Sequence, residues 1–431
     1  MRQNVTKTDV LAGVQWFLFM FANIVVIPIG VGAAYQLQQD EIVSLLQLSF
    51  IVTGLACLAQ VLFGHGRPIM EGQSGLWWGI FLTLVVTTSA QDMPLHVLGG
   101  SLALGVILSG LLTVIIGLTG LGAVFGKLFK PGVMGVFMML LGLTLMSIFF
   151  KGMFGIPFGL AADDVVLQIP TGLLALAIVV FVIIFSIKAP VKWRSYALLI
   201  GIVVGWICYV LIFGSAKAHE STNATIKLFP LGALTWDTGV VLTALLAGLL
   251  NISNTYGALL GTDELLGHKT SANTYRKTFT VTGIVNTVSG FFGLVPYAPY
   301  VSSIGFLQQT AIYRKSPFII GSILFVFIGI IKPIGAFFSL LPLSIGSAVL
   351  FVAYAQFFQS ALQFFKSLRL NAVNMYRVAI PFFVGAIIMM LPSSYFTSIP
   401  SFIQPFLSNG LLVGILLAIV LENVVNWDKY K

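Results

Sequence analysis

Charge is the property this chain lacks most. Only 8% of its 431 residues are Asp, Glu, Lys or Arg, whereas soluble domains carry about 25%. Hydrophobic residues make up 58% of the chain, and the mean hydropathy is +1.02. A chain with so few charges cannot cover a water-facing surface. The composition therefore excludes a soluble domain and predicts an all-α polytopic membrane protein embedded in a lipid bilayer.

Motifs for enzymatic chemistry are also missing. The two cysteines, Cys57 and Cys208, lie in separate apolar runs and have neither disulfide nor metal-ligand spacing. We find no glycine-rich phosphate loop, zinc motif or Ser/His/Asp arrangement, so we expect no enzyme activity, cofactor or metal. The net charge of +9 is spread singly or in pairs through short loops. That pattern is typical of membrane orientation, and we expect no nucleic-acid partner.

Apolar runs recur along the whole chain. A full transmembrane helix needs about 20 residues, and two runs, 75–88 and 304–313, are too short. Each follows a polar, turn-prone stretch, "MEGQSG" or "PYAPYVSSIG". Such a segment persists at membrane depth only where its non-helical flank is buried in protein or lines a polar cavity. The fourteen runs are 10–31, 42–64, 75–88, 97–118, 131–150, 170–187, 195–214, 239–260, 278–296, 304–313, 317–337, 341–362, 378–392 and 405–421.

The basic residues support fourteen crossings. With both termini in the cytoplasm, the inner loops contain every Lys and Arg except Lys151, Lys217 and Lys227 in outer loops and Lys332 within a run. Omitting either short segment would invert all later loops and destroy this asymmetry. The positive-inside rule therefore predicts a multi-pass protein of the cell membrane with cytoplasmic termini, in which the short segments cross or re-enter.

The two short segments occupy the third place in each group of seven. An odd number of crossings makes the second group start from the opposite face, so the pattern predicts a 7+7 inverted repeat of transmembrane segments. Broken helices 3 and 10 would then mark a substrate site at mid-membrane, with helix N-termini directed at the cavity. The alternative is a pair of re-entrant loops with purely structural roles.

Four stretches carry a family resemblance that extends over essentially the whole chain. They are "GVQWFLFMFANIVVIP" (13–28), "RPIMEGQSGLWWG" (67–79), "AGLLNISNTYGALLG" (247–261) and "YVSSIGFLQQTA" (300–311). They resemble the nucleobase–ascorbate transporters, also called nucleobase:cation symporter-2 or xanthine/uracil permeases, in a divergent purine permease branch.

Some signature positions depart from the family. Gly305 keeps the signature's spacing, whereas Ser302 and Ser303 stand where the family usually has Glu or Gln and Asn. Asn251 takes the place of a substrate-binding Glu, and Trp16 that of a His. The resemblance therefore implies the fold more firmly than the coupling mechanism.

The resemblance also implies domains and a function. Residues 1–120 and 239–338 would form a core domain that holds the substrate, and 121–238 with 339–431 a gate domain that often mediates homodimers. The implied function is import of a nucleobase, either a purine such as xanthine, guanine or urate, or uracil, by proton symport with alternating access. The alternatives are an anion transporter of the same architecture and a transport-inactive membrane binding or scaffold protein.

Polar residues in two later segments are candidate substrate ligands. Asn251, Asn254 and Thr255 share one side of a helix and could recognise the edge of a base, although interhelical hydrogen bonds would also explain them. Hydroxyls and backbone N–H groups could bind substrate at the start of the tenth segment, or could act as ordinary helix caps. The candidates in that segment are Ser302, Ser303 and Gly305.

Glu71 is the most informative candidate, and it comes with Gln73 and Ser74 before the third segment. We predict that all three contact substrate. Because relatives' acids are replaced elsewhere, Glu71 is the remaining carboxylate near the cavity and the proton-coupling candidate. The alternatives are an acid favoured by the helix dipole and an ion pair with Arg67. We expect Arg67 in a cytoplasmic loop and Asp263 in a solvated loop.

Overall fold

The computed structural model describes residues 6–89, 93–156, 166–194, 196–214, 225–267, 269–368 and 371–427. Lys217 and the two ends of the chain lie outside these ranges. Within them the chain forms helices, one 3-10 turn at Ser393–Phe396 and two strands, β1 (Glu71–Gln73) and β2 (Tyr297–Pro299). The helices are α1 Lys7–Ile24, α2 Val26–Ala34, α3 Gln39–Phe63, α4 Gly75–Ser89, α5 Leu95–Thr119, α6 Gly122–Gly126, α7 Pro131–Met153, α8 Ile169–Lys188, α9 Val191–Arg194, α10 Ala197–Phe213, α11 Thr238–Leu266, α12 Ala272–Phe291, α13 Ser302–Thr310, α14 Lys315–Ile330, α15 Lys332–Phe338, α16 Leu343–Tyr354, α17 Gln356–Lys366, α18 Ala372–Met390, α19 Gln404–Leu407 and α20 Gly410–Val424.

Every apolar run of the sequence overlaps a helix of the described residues. Seven helical spans in the described ranges are long and apolar enough to cross a membrane, with α1 and α2 counted together and α16 and α17 counted together. The number is eight if α14 and α15 count as one span bent by 90°. Four further apolar helices, α4, α10, α18 and α20, are shorter. The protein is therefore a helical, multi-pass membrane protein, as its composition predicts.

The two strands pair with each other across the chain. β1 and β2 are antiparallel, with Glu71 opposite Pro299 and Gln73 opposite Tyr297. One further backbone hydrogen bond extends the pair at each end. The N–H of residue 74 donates to the carbonyl of residue 296 (2.7 Å), and the N–H of residue 300 donates to the carbonyl of residue 70 (2.8 Å). The polar stretches before the two short segments, expected as turns, thus form one ribbon.

The ribbon determines where the short helices begin. β1 leads into α4, and β2 leads into the nine-residue α13. Because the strands are antiparallel, the two helices leave opposite ends of the ribbon and their N-termini flank it. The segments that the sequence singles out as too short therefore begin together at one place in the fold.

Glycines bring α5 and α12 into close contact. A Cβ atom added at Gly283 would lie 2.6 Å from the backbone nitrogen of Val114 and 2.8 Å from the carbonyl oxygen of Gly110. Backbone atoms cannot move aside as a flexible side chain can, so only glycine fits. Such small-residue contacts replace the hydrophobic effect as the basis of helix association inside a membrane.

We predict that Gly283→Ala lowers the unfolding free energy by about 1–3 kcal/mol, because overpacking must separate α5 from α12. Gly305→Ala is the matched control, since a Cβ atom there meets no atom within 4 Å. Thermal unfolding of both variants in detergent measures the difference. Equal midpoints for the two variants would contradict the close helix contact.

Candidate functional site

A cavity of about 820 Å³ adjoins the strand pair. Its floor, the end at the strands, is lined by Asn23, Ser74, Asn254, Tyr300 and Ser302. From there it runs along α11, α13 and α17 to a mouth near Leu265 and the exposed Lys366. The rise of an α-helix separates Asn254 from Leu265 by about 16 Å. The cavity is therefore deep enough to hold a small molecule well below the mouth.

Asn251 organises one side of the floor. Its Oδ1 accepts hydrogen bonds from Ser74 Oγ (2.7 Å) and Asn254 Nδ2 (3.0 Å), and its Nδ2 donates to the carbonyl of Tyr297 (2.9 Å). Asn251 is only 3% exposed and is not among the lining residues. Ser74 and Asn254 do line the cavity. Asn251 is thus a positioning residue that joins α11, α4 and β2, while Ser74 and Asn254 present their polar groups.

The start of α13 forms the other side of the floor. Ser302 and the exposed Gly305 face the cavity, whereas Ser303 is fully buried and its Oγ accepts a hydrogen bond from the N–H of Met70 (3.1 Å). Tyr300 also lines the floor, and its hydroxyl donates to the carbonyl of Gln73 (2.5 Å). Ser303 and Tyr300 therefore tie α13 and β2 to the segment around β1.

Glu71 and Gln73 point away from the cavity. Alternate residues of a strand share one face, and both side chains extend towards α3 and α12. Glu71 is 0% exposed, and its Oε1 accepts a hydrogen bond from Thr282 Oγ1 (2.7 Å). Its Oε2 has no hydrogen-bond partner among the described residues. Gln73 Nε2 donates to Ser49 Oγ (3.1 Å). The predicted direct contact of these two residues with a substrate has no geometric support in this arrangement.

Thr255, the remaining candidate, is 1% exposed on α11 and is not among the residues that line the cavity. The structure therefore brings Ser74, Asn254, Ser302 and Gly305 together at one surface. It places Glu71, Gln73, Asn251, Thr255 and Ser303 behind that surface.

The expected loop position is wrong for Asp263, whereas Arg67 does lie in a loop, between α3 and β1. Arg67 is buried, and Asp263 belongs to the last turns of α11. Arg67 donates to the carbonyl of Leu259 (2.9 Å), to Thr262 Oγ1 (2.8 Å) and to Asp263 Oδ1 (2.6 Å). The guanidinium thereby joins the loop before β1 to the C-terminal part of α11 through a carbonyl, a hydroxyl and a carboxylate. This ion pair also replaces the expected alternative of an Arg67–Glu71 pair.

Several lining residues were missed from the sequence. Asn23 lies where α1 gives way to α2, inside a run that was interpreted as continuously apolar. The others lie on α13 and α17. A polar side chain within an apolar run was the available signal for Asn23, and spacing at i, i+3 and i+7 was the signal on α17. The missed residues on α13 and α17 are Gln308, Gln356, Gln359 and Gln363.

Comparison with known proteins identifies the family. The xanthine/uracil permease model, described as "Permease family", matches residues 7–394. The chain belongs to this permease family. Its relatives include YwdJ of Bacillus subtilis, named as a purine permease, at 28% identity over 98% of this chain and 97% of the relative. A xanthine permease of B. subtilis is 25% identical, and the match covers 99% of this chain and 95% of the relative. The uric acid transporter UacT of Escherichia coli is 22% identical, and the match covers 97% of this chain and 86% of the relative.

Solved structures show the fold of this permease. The transmembrane domain of the cyanobacterial bicarbonate transporter BicA superposes with a TM-score of 0.66 at 17% identity, covering 97% of this chain and 98% of that one. The murine anion transporter Slc26a9, in an inward-facing state, superposes with a TM-score of 0.61 at 13% identity, covering 98% of this chain and 69% of that one. At these identities the likeness concerns the fold alone.

We predict that Asn251→Ala lowers the unfolding free energy of the ligand-free permease by about 1–3 kcal/mol, because it removes the side-chain donor to the buried carbonyl of Tyr297 and the acceptor of the buried Ser74 Oγ. Asn254→Ala is the matched control on the same helix. Its side chain is half-buried beside the cavity, where water can replace the lost bond. Thermal unfolding in detergent compares the two, and an equal loss in both would contradict the positioning role.

Proposed function

We propose that this permease imports a nucleobase, a purine such as xanthine, guanine or urate, or uracil. The observation that carries the proposal is the uncharged, hydrogen-bonding floor. It offers a hydroxyl at Ser74, amides at Asn23 and Asn254, and an aromatic ring at Tyr300. Among the described lining residues, the one charged side chain is Lys366, at the mouth. A flat neutral heterocycle with donors and acceptors along its edge suits such a surface.

The relatives support the substrate class. Those named as purine, xanthine and uric acid permeases match almost the full length of the chain. The second candidate substrate is an inorganic anion. It is supported by the fold likeness to BicA and by the N-termini of α4 and α13, whose free N–H groups favour negative charge. The absence of a cationic side chain among the described residues of the floor favours the neutral base.

The proposed architecture is fourteen segments in a 7+7 inverted repeat, with α4 and α13 as the halves of broken helices 3 and 10. The equivalent positions of β1 and β2, paired with each other, support it. We assign residues 1–120 and 239–338 to a core domain and 121–238 and 339–431 to a gate domain. Core helices α11 and α13 line the cavity opposite gate helix α17, as alternating access between the two domains requires.

Orientation and assembly complete the proposal. The positive-inside rule places both termini in the cytoplasm of a cell-membrane protein. Lys366 then lies on the cytoplasmic side, and the cavity is open inward. A homodimer formed through the gate domain stays a prediction from the family resemblance.

We predict saturable uptake of at least one radiolabelled base, from xanthine, guanine, urate and uracil, by cells that lack their own permeases and express this protein. Asn254→Ala should raise KM about three- to tenfold through the loss of one hydrogen bond to the base. Surface expression measured by a fluorescent tag is the control.

Bicarbonate and sulfate uptake are measured in the same cells. Anion uptake without uptake of any base by correctly inserted protein would overturn the proposal in favour of the anion candidate. Binding without uptake in reconstituted vesicles would favour a transport-inactive protein.

Glu71 is the proposed proton-coupling residue. It is buried with one hydroxyl donor, from Thr282, which itself accepts a hydrogen bond from Gln60 Nε2 (2.8 Å). A buried carboxylate without a cationic partner is costly, so this geometry favours the neutral acid. Because Glu71 belongs to β1, gain or loss of its proton acts on the strand that leads to Ser74. Coupling would then pass through the ribbon, without contact between Glu71 and the base.

We predict that Glu71→Gln, which mimics the protonated acid, abolishes accumulation of base against its gradient while exchange of internal for external base continues. Wild-type accumulation should rise as the external pH falls, because the inward proton gradient drives it, and the variant should show no such dependence. Vesicles with an imposed pH gradient measure both.

A matched pair of threonines controls for packing. Thr282→Val removes the hydroxyl that donates to Glu71 and should shift the pH dependence of uptake. Thr278→Val lies one turn away on α12, where the hydroxyl donates to the backbone carbonyl of Thr274 (2.8 Å), and should leave it unchanged. Unaltered proton-driven accumulation in Glu71→Gln would reduce Glu71 to a structural residue of the ribbon.

A further inference from the structure

The wall between floor and mouth carries four glutamines that the floor site does not use. Gln356, Gln359 and Gln363 lie on α17, spaced at i, i+3 and i+7, so they share one face of that helix. Gln308 faces the cavity from α13. All four side chains are exposed within the cavity. Their amides have no hydrogen-bond partner among the described residues, so every donor and acceptor is available to a ligand.

The position of these amides relative to the floor is fixed by two helices. On α13, Ser302 at the floor is followed by Gly305 and then by Gln308, at successive steps of three residues, and all three line the cavity. The helical rise places Gln308 about 9 Å above Ser302. The α17 glutamines span about 10 Å on the opposite wall. A molecule leaving the floor for the mouth must pass between them.

The chemistry of the wall matches that of the floor. Primary amides offer donors and acceptors without charge, as Asn23 and Asn254 do at the floor. The reverse face of α17 is aromatic and apolar, with Phe358 and Leu362 exposed outside the cavity lining. The polar residues are thus confined to the side of α17 that meets the cavity. Charged side chains would keep the cavity filled with water equally well. They are more strongly hydrated than a neutral heterocycle, however, and would therefore disfavour its binding.

We propose that Gln308 and the three glutamines of α17 form a second, weaker subsite for the same neutral base, which the base occupies between the floor and the mouth. This inference rests on the proposed function. The subsite selects among bases by their hydrogen-bonding edges, and it is built from one core-domain helix and one gate-domain helix. Its geometry therefore changes whenever the two domains move relative to each other.

The test compares Gln308→Leu and Gln359→Leu with Gln309→Leu, a substitution of the adjacent exposed glutamine, which is not a lining residue. For whichever base the wild type takes up, the first two variants should raise KM about three- to tenfold, the effect of one lost neutral hydrogen bond. They should also change the order in which unlabelled xanthine, guanine, urate and uracil compete. Gln309→Leu should change neither quantity.

Conservative variants separate binding from insertion. Gln308→Asn and Gln359→Asn keep the amide and should restore part of the wild-type competition order, and fluorescence tags should report equal surface levels for all variants. Wild-type protein that carries no base would refute the proposed function itself. A wild type that transports, with cavity variants indistinguishable from Gln309→Leu in KM and competition order, would overturn the subsite alone.

Discussion

Non-helical backbone inside a membrane protein must have its hydrogen bonds satisfied by the protein, and the ribbon of β1 and β2 meets this constraint here. The strands satisfy each other, and side chains support them from behind: Asn286 Oδ1 accepts from the N–H of Tyr297 (2.6 Å), and Asn251 donates to its carbonyl. This support also explains why α12 is too polar to qualify as a membrane span by composition. Its buried Thr282 and Asn286 face the ribbon and form hydrogen bonds with Glu71 and with the backbone of Tyr297.

Once the ribbon exists, the other features of the site follow from strand geometry. Alternate residues face opposite ways, so β1 directs Glu71 and Gln73 into the protein, while Ser74 at its end turns to the cavity. One short element thereby separates the proposed functions: a proton site behind the ribbon and a base site in front of it. A neutral floor suits this separation, because a carboxylate in contact with the base would link binding and protonation directly.

The sequence predicted the membrane class, the helical nature of the apolar runs and the convergence of the two short segments, because hydropathy and segment length reflect the bilayer. It could not predict the side on which each polar residue would fall. Glu71 and Ser74 looked equivalent in "MEGQSG", and only the strand conformation separates them. Asp263 looked like a loop residue because the apolar run ends before α11 does, and the burial of Arg67 beside it has no hydropathy signal. The α17 glutamines escaped notice because a polar face averages out in a mostly apolar run.

The central claim is that a base binds in front of the ribbon, and substrate protection of a cysteine tests it most directly. Gly305→Cys places a thiol in open space beside the floor, and Cys208→Ser removes the more accessible native cysteine, since Cys57 is buried. A transported base should slow alkylation of this thiol over the concentration range in which uptake saturates, and bicarbonate should have no effect. Labelling that proceeds at the same rate with a saturating transported base would contradict the account.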